Sequence, residues 1–118
     1  MALTIATTTP STLLAQIKTK IDEGHIKTWS YDKDGDFTHT PPQWINRAWL
    51  TTQQTSGGVL VLGLLGNTQE NTSIAVYAVY HSAFIEMLLN HFDHEFSTAV
   101  ASALPVKNVD NITSGLNG

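Results

Sequence analysis

Residues Val59 to Leu65 read Val-Leu-Val-Leu-Gly-Leu-Leu, the longest apolar run in the chain. A segment with no polar position offers no face to water, so it reads as a buried strand. Seven residues fall far short of the roughly 20 that a membrane span needs. The chain must therefore assemble a sheet around this segment. Its 118 residues, 42% of them apolar, suffice for one modest core and one domain. A doubly wound nucleotide fold or a barrel enzyme would not fit.

The other elements follow from period and punctuation. Thr9-Pro10 reads as a helix start, with Thr9 as N-cap and proline at the first helical position. Leu13, Leu14, Ile17 and Ile21 keep helical spacing, and Gly24 is a natural stop, which gives a helix over 10–23. Residues 26–31 and 36–40 are β-branched and aromatic, and Asp32-Lys33-Asp34-Gly35 lies between them. A three-residue loop with Gly35 left-handed pairs Tyr31 with Phe37 and Trp29 with His39, and it gathers the aromatics on one face. A two-residue turn would put Phe37 on the opposite face, so the first register is preferred. Trp44, Ile45, Ala48 and Trp49 predict a short amphipathic helix, with a strand from Ala48 to Thr52 competing for its end. Thr72 to Val79 is apolar on both alternating faces and predicts a central strand. From Phe84 to Ala103 the apolar residues hold a 3.6-residue period, which predicts one helix from about 81 to 104, stopped by Pro105 and about 36 Å long. Residues 1–8 and 105–118 read as loose ends flanking a single domain at 9–104.

The expected fold class is α+β: an antiparallel sheet of about five strands, an N-terminal helix, a short middle helix and a long C-terminal helix packed on the sheet. This order is similar to that of the profilin, roadblock and longin type of fold. The likeness is one of element order alone and dictates no function.

Composition narrows the chemistry. Six basic residues stand against ten acidic ones, a net charge of −4, and Arg47 is the sole arginine. Proteins that bind duplexes or membrane surfaces cluster basic groups, so neither nucleic acid nor membrane is an expected partner. The absence of cysteine rules out disulfides, thiol nucleophiles and thiolate metal sites. The first ten residues have no basic region ahead of an apolar one, so no secretory signal is read and the cytoplasm is the expected compartment.

Several constellations invite a functional reading. Asp32, Asp34 and Asp36 look locally like the opening of an EF-hand calcium loop. The match then fails, because Phe37 stands where the sharp turn needs glycine and Gln43 where a bidentate glutamate belongs. The ordinary role of such residues is to shape a hairpin turn. His91, His94 and Glu95 can supply part of a transition-metal site, with His39 or His81 as a further ligand, although HxxH is not the HExxH of a catalytic zinc site. Ser82 follows His81, but no nucleophile elbow surrounds it. Gly57-Gly58 precedes a strand rather than a helix, so it is a turn and not a phosphate loop.

Three tryptophans fall within 21 positions. Trp29, Tyr31, Trp44, Arg47 and Trp49 are either core or an exposed aromatic patch that anchors a partner. The reading carried forward is a small acidic, non-enzymatic binding or regulatory module. It acts through protein contacts as a homodimer and needs no cofactor. A metal-binding protein using the His/Glu cluster is the alternative.

Overall fold

A computed structural model describes residues 2–112. The elements are β1 (Ala2–Ala6), α1 (Pro10–Asp22), β2 (Trp29–Tyr31), β3 (Phe37–His39), β4 (Ala48–Gln54), β5 (Val59–Gly66), α2 (Ile74–His91) and β6 (Thr98–Ala101). The six strands form one sheet in the order β2-β3-β4-β5-β1-β6, with every ladder between neighbours antiparallel. The expected α+β domain with an antiparallel sheet stands. It has six strands rather than about five and two helices rather than three, so the profilin-like element order is not reproduced.

β5 occupies the centre of the sheet. Leu60, Leu62 and Leu64 are fully buried on one face, together with Leu3 and Ile5 of β1 and Leu50 of β4. Both helices cover that face. Phe84 of α2 packs on Phe37, and Lys18 of α1 lies over the same ring. Leu13 and Ile17 of α1 complete the core with Val76, Tyr77, Tyr80, Met87 and Leu88 of α2.

α1 and the β2–β3 hairpin match the expectation closely. Gly24 takes φ +79° just past the helix, and Lys20 sits in its last turn. Thr9 holds the N-cap position without a side-chain cap, and its own N–H donates to the Thr7 hydroxyl. The hairpin pairs Trp29 with His39 and Tyr31 with Phe37, with Gly35 at φ +82°.

Four segments depart from the expectation. Residues 41–47 form successive turns, not a helix. Pro41 accepts from the N–H groups of Trp44 and Ile45, and Asn46 adopts φ 60°, which ends any helical path. The competing strand prevails at Ala48, which pairs with Gly66 at the end of β5. Thr72–Val79 is not a strand. Ser73 caps α2 by accepting from the Val76 N–H, and 74–79 are its opening turns. A run that is apolar on both alternating faces suits a buried helix as well as a buried strand, so the pattern over 72–79 does not separate the two.

The expected helix over 81–104 ends at His91. The chain reverses through 92–97, held by the Thr7 hydroxyl donating to the Glu95 carbonyl and by Ser97 N–H donating to the Ala6 carbonyl. β6 then pairs with β1. The helical phase beyond 96 rested on alanines and Val100, which suit either state. Finally, the N-terminal residues expected to fray form β1, clamped between β5 and β6. Leu3 and Ile5 alternate with Ala2, Thr4 and Ala6, a period-2 signal inside a threonine-rich stretch.

The segment expected to be a loose tail is partly built in. β1 begins opposite Gly63, so beyond it β5 lacks a partner on that side. Asn111 takes the vacancy: its N–H donates to the Leu64 carbonyl (2.7 Å), and its carbonyl accepts from Gly66 N–H (2.8 Å). Asp110 accepts from Leu64 N–H at 2.7 Å and from Val106 N–H at 2.8 Å. Residues 113–118 and Met1 lie outside the described residues. This docking requires Gly63, since a Cβ there would sit 1.9 Å from the Val109 carbonyl oxygen. Gly63→Ala is therefore expected to cost about 2 kcal/mol in chemical denaturation and to speed hydrogen exchange at Leu64 and Gly66.

Candidate functional site

The aromatic residues do not form one patch. Trp29 is 1% exposed, edge-on to Tyr80 and Phe84 and 4.7 Å from the His39 ring. It is core. Tyr31 is half-buried on the same side and donates to the Asp22 carboxylate, a hydrogen bond that lifts its pKa. Trp49 lies on β4 between the buried Ala48 and Leu50, so strand alternation turns it to the opposite face of the sheet. Trp44 is half-buried against the core. Arg47 pairs with Glu70 at 2.9 Å and donates to the Gln43 carbonyl. The residues expected to gather are thus divided by the sheet itself.

A buried polar knot fixes the 41–47 turns. The Tyr80 hydroxyl donates to the Trp44 carbonyl and lies 3.0 Å from the Thr38 hydroxyl. Thr38 donates to the Ala48 carbonyl and accepts from Asn46 N–H. His39 sits nearby, with Nδ1 2.7 Å from the Thr28 carbonyl. Its burial pushes its pKa below the ordinary 6.5, against weaker opposing effects from that hydrogen bond and from Glu86. An unfolded chain therefore takes up the proton first. The contribution of neutral His39 to stability is complete above about pH 6.5 and falls as pH drops through that value. Denaturation at pH 8 and pH 5.5 is expected to show a larger loss for the native chain than for His39→Asn.

The helix break scatters the imidazoles. His91 and Glu95 line a groove of about 400 Å³ with Lys20, Glu23 and Phe92. His94, its side chain 91% exposed, stands 3.9 Å from Asp93 and borders a different groove beside Thr7 and Thr8, which Glu95 also lines. His39 and His81, the possible further ligands, are buried, and His81 Nδ1 bonds the Tyr77 carbonyl at 2.7 Å. Ser82 is exposed while His81 is buried, so the two do not converge.

Among the described residues, the one set of three ligating side chains with atoms within 4.8 Å of one another is Asp32, Asp34 and Asp36. The arrangement serves the turn. Asp32 Oδ1 accepts from the N–H groups of Asp34 and Asp36 at 2.9 and 3.0 Å. Lys18 lies over the Tyr31 ring beside the turn and supplies a local positive charge. Burial, foremost, and repulsion from Asp32 and Asp34 raise the Asp36 pKa, while a Thr51 hydrogen bond and Lys18 oppose the rise. Lys18→Met is expected to raise it further, read by carboxyl-carbon NMR titration.

The feature that sequence reasoning missed is β6. At the other end of the sheet, β2 is three residues long and flanked by Lys27 and Asp32, charges that discourage pairing. β6, four residues long, has no such flanking charge, for no ionisable residue lies between Glu95 and Lys107. Val100 is 61% and Leu104 73% exposed, the most exposed large apolar residues among those described. Ser102 N–H donates to the Ala2 carbonyl, which continues the β1–β6 ladder. Alternation along an antiparallel ladder then makes Thr4–Val100 and Ala6–Thr98 the hydrogen-bonded pairs. The N–H and C=O groups of Ala99 and Ala101 consequently point outward from the sheet. Reading 98–104 as helix hid this edge, because its alanines and Val100 suit either state.

No helix among the described residues is long and apolar enough to cross a membrane. Comparison of the chain with protein-family models, with curated proteins and with solved structures yields no match.

Proposed function

We propose that the protein is a small acidic binding module that works through contacts with other polypeptides rather than through catalysis. One observation carries this reading: an uncharged edge strand that no other described residue pairs on its outer side, with Val100 exposed within it and Leu104 exposed just beyond it. Open edges are templates for strand pairing, and folded proteins normally blunt them with charge, proline or a covering element. A small domain that keeps such an edge bare keeps it for a partner. Strand addition draws affinity from main-chain hydrogen bonds and specificity from side chains alternating along the edge. The binding surface is thereby assigned to β6 rather than to the dispersed tryptophans.

A photo-crosslinking amino acid in place of Val100 is expected to give a covalent adduct with a second polypeptide in cells producing the protein. The same substitution at Lys33, an exposed turn position, is expected to give none. Equal yields from the two positions, or no adduct from Val100, would overturn the reading.

A further inference from the structure

The geometry points to a second copy of this chain as the occupant of β6. We propose a two-fold homodimer in which the two β6 strands pair antiparallel about an axis beside Val100, so that the two six-stranded sheets run on into one another. This inference rests on the reading of the protein as a binding module and names its partner.

The hydrogen-bond phase of the strand selects the register. An axis at Val100 sets Ala99 opposite Ala101 of the second copy, and Ala101 opposite its Ala99. These are the residues whose N–H and C=O groups face outward, so each pair exchanges two hydrogen bonds and the dimer gains four. Val100 then meets its own counterpart in the intervening non-hydrogen-bonded position, where side chains approach most closely. That contact covers the exposed apolar group. Thr98 faces Ser102 of the other copy, a pairing of two hydroxyl residues. An isologous interface of this kind needs a self-complementary surface, and the short sequence centred on Val100 provides it.

Charge agrees with the register. Two chains of net charge −4 repel, yet residues 96–106 bring no ionisable group to the junction. The side chains on the helix side of the edge are Ala99 and Ala101, too small to hinder approach.

The test combines mass and register. Light scattering on the purified chain is expected to return twice the 12.9 kDa chain mass. Ala101→Pro removes an outward N–H while leaving the β1 ladder its own bonds, so it is expected to halve that mass with the circular dichroism spectrum retained. The chain has no cysteine, so an introduced one reports alone. Val100→Cys is expected to oxidise readily to a disulfide-linked dimer, because a non-hydrogen-bonded pair places its Cα atoms about 4.5 Å apart. Thr98→Cys is expected to stay reduced, its counterpart lying roughly 13 Å away along the strand. If Ala101→Pro fails to fold, the two cysteine variants still decide the matter. A monomeric native chain, or a dimer in which Thr98→Cys links as readily as Val100→Cys, would overturn the proposal. A monomer whose Val100 photo-crosslinker still captures a different protein would overturn self-pairing and leave the binding reading standing. A monomer that captures nothing would overturn both.

Discussion

The need of β5 for cover on every side organises the molecule. Val59–Gly66 presents no polar side chain, so water must be kept from both faces and its backbone must be paired along both edges. β4 supplies one edge from Val61 to Gly66. β1 supplies the other as far as Gly63, and Asn111 carries the pairing on to Gly66. One face receives the two helices. The opposite face receives Val109, which can approach only because Gly63 has no side chain. Elements from both ends of the sequence are recruited to shield one central strand.

The parts of the fold legible in the sequence were those whose signal is local. α1 announced itself through proline at its start, glycine at its end and a four-residue apolar stripe. The hairpin register followed from keeping Trp29, Tyr31, Phe37 and His39 on one face, with Gly35 free to turn left-handed. The second half was harder because its pattern is degenerate. From Ile74 to Leu89 the only charged residue is Glu86, so no polar phase separates helix from strand. Ala99, Val100 and Ala103 extended a helical period by coincidence, while the need of β1 for an outer partner drew that segment into the sheet. This need is tertiary and leaves no mark on residues 98–101 themselves.

The candidate site was legible in proportion. The expected aromatic and His/Glu groupings do not form, because grouping depends on which face each side chain takes. One assignment, helix or strand at Ala48, decides whether Trp44 and Trp49 lie on a common surface. As a strand, the segment sends Trp49 to the far face of the sheet. The helix that would have aligned His91, His94 and Glu95 stops at the first of them. The open edge of β6 went unread because its value lies in backbone groups, which every residue carries and no sequence pattern marks.

The placement of β1 between β5 and β6 has a consequence for how the chain reaches this state. β1 leaves the ribosome before either of its neighbours, yet Ile5 pairs with Leu60 on one side and Ala99 on the other. Contacts so distant along the chain close late, since the entropy of a long loop is surrendered before any contact rewards it. Leu3 and Ile5 must wait unsealed until residues 59–63 and 98–101 have both followed them.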